Sequence, residues 1–300
     1  DIASKDSISY EASENLYLKQ DYEKAIDAFE NYLNEFAAPI FKLNAHFYKA
    51  ESIFTTDPDL AVDDYLSVLE FSQNMFTERA LSRLARIEFK KEEYGVAALH
   101  YTNLKAIAQE NSLLREATIN LFYCYKNLDL NASLLESAKA VLDLDKVDAE
   151  LANEARLVIA NNYFDESEFH LAKKDYQIIA EQNQYETGSE AKYQLAYLAY
   201  LESDFDQSEK IIFELAENFY SDFYIAKSFI LLADIYKEKD NLFQSKATLQ
   251  SIVDNYDGED LKEICLQKIA EIDLLNEQAQ KNLQKDELII NLLNDVELSE

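Results

Sequence analysis

The chain has 300 residues, a formal net charge of −30, 48% hydrophobic residues and only 3 glycines and 2 prolines. So few breakers exclude sheet-rich and loop-rich folds and leave helices joined by tight turns. The acidic field opposes binding to nucleic-acid phosphates and to anionic lipid surfaces, and no apolar run approaches the ~20 residues of a membrane-spanning helix.

From the N-terminus onward, one small residue recurs at nearly constant spacing. Ala25, Ala61, Ala97, Ser133, Ala172, Ser208 and Ser245 follow at intervals of 36, 36, 36, 39, 36 and 37 residues. Three positions before each stands a bulky residue (Tyr22, Tyr94, Leu130, Phe169, Phe205, Leu242), with Pro58 in the second copy. Four positions after most of them stands another: Phe29, Tyr65, Tyr101, Tyr176, Ile212 and Leu249. Spacings of three and four put these on one helical face. Twelve residues before the marker a second small residue recurs, as Ser13, Ala85, Ala160, Ala196 and Ala233, with Ala50 one residue closer and Leu121 the exception. Each unit therefore reads as a helical hairpin. Small residues on its first and second helix let the two approach, and the bulky ones fill the space between hairpins. No hairpin buries its face alone, so the units must stack.

This pattern resembles the tetratricopeptide repeat, which has small residues at positions 8 and 20 and aromatics at 17 and 24. The resemblance covers seven repeats, at about 6–38, 43–74, 78–110, 114–147, 153–186, 189–222 and 226–257. The family's Trp at position 4 and Pro at position 32 are absent, and the fourth repeat fits least well. The resemblance implies an all-α fold, a right-handed α-α superhelix of about seven hairpins. After it, Gly258 reads as a helix C-cap. Segment 260–283 reads as a capping helix with Leu261, Ile264, Cys265, Ile269 and Leu274 on one side, making 1–283 one solenoid. Residues 284–300 read as an acidic, apolar tail. It either extends the cap or docks elsewhere, for instance on another copy as a self-association module.

The phrases NAHFYKAESIF (44–54), TERALSRLARIEFKKEEYGVAALHYTNL (77–104) and FILLADIYKEKDNLFQSKATLQSIVDNY (229–256) are similar to the C-terminal half of large tetratricopeptide proteins of the Bacteroidetes cell envelope. That likeness implies the end of a longer exported chain, a cell-envelope or periplasmic setting and no reaction. An accessory role in outer-membrane assembly or in a Tol–Pal-type system is the alternative it raises.

Groups that carry chemistry are sparse. His46, His100 and His170 fall in different repeats with no partner at metal spacing. Cys124 and Cys265 lie four repeats apart, too far to pair in an array whose units touch only their neighbours. There is no phosphate-binding glycine loop and no GxSxG element, and the chain has no Trp to serve as a sugar platform. These readings predict a non-enzyme with no cofactor, no metal and no small-molecule substrate, whose partner is a protein or peptide.

In the tetratricopeptide family the first helix of each repeat lines the concave face, mainly through positions 2, 5, 9, 12 and 13. Carried over, position 12 is aromatic in six successive repeats: Tyr17, Phe54, Phe89, Tyr125, Phe164 and Tyr200, then Lys237. Tyr193 and Tyr197 widen the series in repeat six. The series is either packing between helices or a ladder for a bound segment, since aromatics concentrate interface energy. Four of the five arginines lie between residues 79 and 115. Arg79, Arg86 and Lys90 carry over to positions 2, 9 and 13 of repeat three, and Arg115 and Lys126 to positions 2 and 13 of repeat four. They serve either as internal salt bridges or as a pocket for an acidic segment, because arginine holds carboxylates bidentately. Arg79 and Arg83 resemble part of the family's carboxylate clamp, but Tyr10, Glu14 and Tyr48 stand where its other residues would be required. The expected partner site is therefore Arg79, Arg86, Lys90, Arg115 and Lys126 with Phe89, Tyr125, Phe164, Tyr193, Tyr197 and Tyr200.

Overall fold

The computed structural model describes residues 2–297, with side chains through residue 285. The described residues form fifteen α-helices and one 3₁₀ turn, with no strand. Packing divides the chain into two compact units, residues 1–146 and 147–300.

The first unit holds α1 (Ile2–Leu18), α2 (Tyr22–Glu35), α3 (Lys42–Phe54), a 3₁₀ turn (Pro58–Ala61), α4 (Val62–Leu69), α5 (Thr77–Lys90), α6 (Tyr94–Ile107), α7 (Asn111–Asn127) and α8 (Asn131–Leu142). The second holds α9 (Ala149–Asp165), α10 (Phe169–Gln182), α11 (Glu186–Leu201), α12 (Phe205–Asn218), α13 (Asp222–Glu238), α14 (Leu242–Asn255) and α15 (Glu259–Glu297). Within each unit every helix packs on the next, and first helices also touch first helices: α1 on α3, α5 on α7, α9 on α11, α11 on α13. This is an all-α array of tetratricopeptide-type hairpins.

The markers lie where the hairpin helices cross. Ala25, Ala61, Ala97, Ala172 and Ser208 are fully buried, as are Ala50, Ala85, Ala160, Ala196 and Ala233 on the first helices. In two hairpins the contact is direct: Ser208 Oγ donates to the Ala196 carbonyl at 2.8 Å, and Ser245 Oγ to that of Ala233 at 2.7 Å. A larger side chain at either position would push the helices apart. The bulky residues that follow, among them Phe29, Tyr65, Tyr101, Tyr176 and Ile212, fill the core. Two of the tyrosine hydroxyls find acceptors on first helices, Tyr65 on Glu51 at 2.6 Å and Tyr176 on Asn161 at 2.7 Å.

The turn inside six hairpins is one motif without glycine. Gln20, Glu92, Asp129, Ser167, Ser203 and Asp240 all adopt positive φ, between 53° and 63°. Each lets the next amide reach back to the carbonyl five residues earlier, as Asp21 N to Leu16 O at 3.0 Å and Asp204 N to Ala199 O at 2.9 Å. This Schellman closure satisfies carbonyls at the helix end.

That turn corrects the register of the fourth repeat. In the other hairpins of this type the positive-φ residue precedes the marker by five, and Asp129 therefore points to Leu134, not Ser133. The amide of Leu134 bonds to the Leu130 carbonyl at 2.8 Å, as that of Ala97 bonds to Glu93. The facing residue on α7 is Phe122, fully buried, instead of Leu121. Two large residues, Phe122 and the partly buried Leu134, thus stand at the positions where other hairpins place small ones. Every first-helix assignment in that repeat moves by one, so Tyr125 leaves position 12, Lys126 takes it, and Arg115 becomes position 1.

The C-terminal segment also departs from expectation. Gly258 does not take positive φ and caps nothing by that route. It is small because the Tyr256 ring lies against it, with an added Cβ only 2.4 Å from that ring. The helix α15 buries Leu261, Cys265, Ile269 and Ile272, while Ile264 and Leu274 are exposed. Its backbone continues to Glu297. The side chains of the expected tail from residue 286 on, and residues 298–300 altogether, lie outside the described residues.

Candidate partner-binding site

In the first unit α5 presents Arg79, Arg83, Arg86 and Lys90 at intervals of four, three and four, one stripe of the helix. The centre of the arrangement is Glu51 on α3, which is 5% exposed. It is ion-paired with Arg79 Nη2 at 2.6 Å and accepts from Arg83 Nε at 3.1 Å and from the Tyr65 hydroxyl at 2.6 Å. Arg83 also lies 4.0 Å over the Phe54 ring. Arg86 holds Glu116 of α7 through Nε and Nη2, and this pairing keeps its guanidinium above the usual range. A buried carboxylate is tolerated only with such partners.

The arginines are therefore first of all internal rungs between successive hairpins. The same rung recurs in the second unit with other chemistry, where Asn161 Nδ2 donates to Glu190 at 3.2 Å. The rungs do not consume the guanidiniums. Arg79 and Arg86 side chains remain 57% and 49% exposed, and a guanidinium carries five N–H donors. Arg79, Arg83 and Arg86 line a cleft of about 900 Å³ with Asn74, Gln109 and Leu113. Met75, also lining it, is 84% exposed. Lys90 is exposed and has no ion pair among the described residues.

The remaining expected residues of this unit lie elsewhere. Arg115 donates to the carbonyls of Asp145 at 2.6 Å and Lys146 at 3.1 Å, tying off the loop after α8. Phe89 is half-buried against Tyr94, ring centroids 5.4 Å apart. Tyr125 packs, half-buried, on the core around Leu121 and Cys124, and Lys126 is exposed. Cys124 is a fully buried free thiol, and burial pushes it up to about 12.

In the second unit α11 carries Tyr193, Tyr197 and Tyr200 as a near-parallel stack, with interplanar angles of 4° and 14° and centroids 6.3 and 6.2 Å apart. Phe164 of α9 joins at 6.0 Å from Tyr197. All four rings are half-buried. Phe164 and Tyr200 also pack on Phe169 and Phe205 across the hairpin turn, so the position-12 aromatics brace their own hairpins and leave one side open. Lys227 of α13 lies 4.7 Å over the Tyr193 ring.

Sequence reasoning missed Glu51, Glu116 and Lys227. The signal for the second was an Arg and a Glu 30 residues apart on successive first helices, hidden by the slipped register of repeat four. Among the described residues no group of acidic, cysteine or histidine side chains is placed to hold a metal ion, and no helix is long and apolar enough to cross a membrane.

No family model matches this chain, and no curated protein does. Solved structures do. A tetratricopeptide repeat protein from Parabacteroides merdae is 14% identical over 87% of this chain and 98% of its own, with a TM-score of 0.41. Yeast Tom70 is 11% identical over 91% of this chain and 56% of its own, with a TM-score of 0.45. The TPR2AB domain of yeast Sti1, in complex with pHSP90, is 13% identical over 91% and 98%, with a TM-score of 0.37.

Proposed function

We propose that this chain is a non-catalytic scaffold that holds a peptide or protein segment on the first-helix faces of its hairpins. One observation carries the reading: Arg79 and Arg86 remain half-exposed around a cleft of about 900 Å³ while Glu51 and Glu116 fix their geometry. Guanidiniums held this way lose little entropy on binding, and their outward N–H groups suit main-chain carbonyls and carboxylates of an extended segment. A ligand carboxylate would share each arginine with a resident glutamate, whereas Lys90 has no competing ion pair among the described residues. The Tyr193, Tyr197 and Tyr200 stack with Phe164 supplies a second contact surface, rich in the residues that dominate interface energy. Arg115, Lys126, Phe89 and Tyr125 complete the proposed set at its margins. By its resemblance to envelope proteins, the setting we propose is the cell envelope.

Replacing Met75 with a photo-crosslinking residue tests this in cells that express the chain. A discrete adduct to one protein, absent when the crosslinker replaces the equally exposed Phe243, supports the reading. Identical diffuse adducts from both positions count against it.

A further inference from the structure

In three hairpins of the first unit, position 1 ties off the loop that follows the same hairpin. Asp6 accepts from the Ile40 amide at 3.2 Å and the Tyr32 hydroxyl at 2.7 Å. Glu78 accepts from the Gln109 amide at 3.3 Å, and Arg115 donates to Asp145 and Lys146. In the fifth hairpin this position is Asn153, 1% exposed, and its buried Oδ1 has no hydrogen-bond partner. A buried amide oxygen without a donor is costly.

What lies there is a cavity of about 450 Å³. Asn153, Glu150, Glu181, Glu186 and Tyr185 line it. The three glutamates form no ion pair with any described Lys, Arg or His. The walls are fixed. Tyr185 N donates to Asn183 Oδ1 at 2.8 Å and Tyr220 N to the Gln184 carbonyl at 2.9 Å. Gly188 lets the start of α11 sit against Asn183, where an added Cβ would lie 1.7 Å from the carbonyl oxygen.

We propose that this cavity binds a guanidinium group, the side chain of an arginine in a protein partner. Three observations select it. The orphan amide oxygen needs an N–H donor. The carboxylates are spread around a volume too large for one metal ion, and no described group of side chains is placed to hold one. A guanidinium offers five N–H donors in a planar fork and stacks on an aromatic ring, and Tyr185, 70% exposed, supplies that ring at the rim. The chain's net charge of −30 draws cationic segments toward it. The site belongs wholly to the second unit and stands or falls apart from the arginine cleft.

The test is heteronuclear NMR of the full chain, titrated with N-acetyl-arginine methylamide, with the matching neutral citrulline derivative and with free L-arginine. The expected result is a saturable shift of the Asn153 side-chain amide and the Tyr185 and Glu186 backbone amides with the arginine derivative. The citrulline derivative binds at least tenfold more weakly, and free L-arginine, whose carboxylate meets three glutamates, is also weaker. E150Q/E181Q/E186Q, all exposed positions, weakens binding at least tenfold, and N153L removes it. Absence of saturable shifts at tens of millimolar ligand, equal binding of arginine and citrulline derivatives, or indifference to the triple substitution overturns the proposal. Free L-arginine binding more tightly than the methylamide overturns the assignment to a protein side chain.

Discussion

Glu51→Gln probes the polar centre of the first unit. The substitution keeps the side chain's shape and one acceptor oxygen but removes the charge shared by Arg79 and Arg83. Breaking a buried ion pair by removing one partner costs about 3–5 kcal/mol. Arg79 is 57% exposed and regains water, whereas Arg83, at 20% exposure and over the Phe54 ring, does not. The expected cost is therefore below that range, about 2–3 kcal/mol. Urea unfolding followed by far-UV circular dichroism measures it, with the slope compared to detect changes in cooperativity. A double-mutant cycle with Arg83→Met isolates the pair, and a coupling of about 1.5 kcal/mol is expected for groups in one network. A cost below about 0.5 kcal/mol, the size of an ordinary surface change, with additive single effects, would refute the reasoning and return Arg79 and Arg83 to solvent.

Ser203→Gly relieves a positive φ of 60° and should stabilise by about 0.5–1 kcal/mol, the left-handed penalty less the extra freedom of an unfolded glycine; thermal unfolding reads it, and Asp240→Gly should gain less because Asp tolerates that region. Gly188→Ala forces a Cβ against the Asn183 carbonyl and should cost about 3 kcal/mol, seen as a lowered midpoint; a neutral result would contradict the close approach. Burial, reinforced at Tyr32 by the Asp6 hydrogen bond, pushes Tyr32 and Tyr193 up to about 12, and burial with the Glu51 hydrogen bond takes Tyr65 higher still. The unfolded chain releases these protons near pH 10 while the fold retains them, so their stabilisation is complete below pH 10 and is lost as pH rises toward 12 and beyond. Stability should fall by roughly 1.4 kcal/mol per pH unit for each tyrosine so held, and tyrosinate absorbance should rise together with loss of helix rather than before it.

The repeat was legible because helix crossings admit only small side chains, and selection for volume at Ala25, Ala97 or Ser208 leaves a period in the sequence. The fourth hairpin hid its register because Phe122 and Leu134 stand at the positions that small residues hold elsewhere. Only the backbone at Asp129 reveals the shift, and φ is not written in residue type when Gln, Glu, Ser and Asp all take the left-handed turn. The arginine stripe on α5 was equally visible, but its partners were not. Glu51 and Glu116 sit on neighbouring hairpins, and a chain with 58 carboxylates gives no local sign of which ones close a rung. On α15 the buried face skipped Ile264 and Leu274 in favour of Ile272, because contact with α13 and α14, not hydrophobicity alone, chose the stripe.

Affinity capture from cells that express the chain, comparing wild type with Arg79→Ala/Arg86→Ala, tests the scaffold reading most directly. Alanine is the appropriate replacement, because glutamate at 79 would face Glu51 and confound binding with unfolding. The variant's helical content is checked first. One discrete protein retained by the wild type and lost from the folded variant is the predicted result. The same proteins retained equally by both would contradict recognition at the arginine cleft.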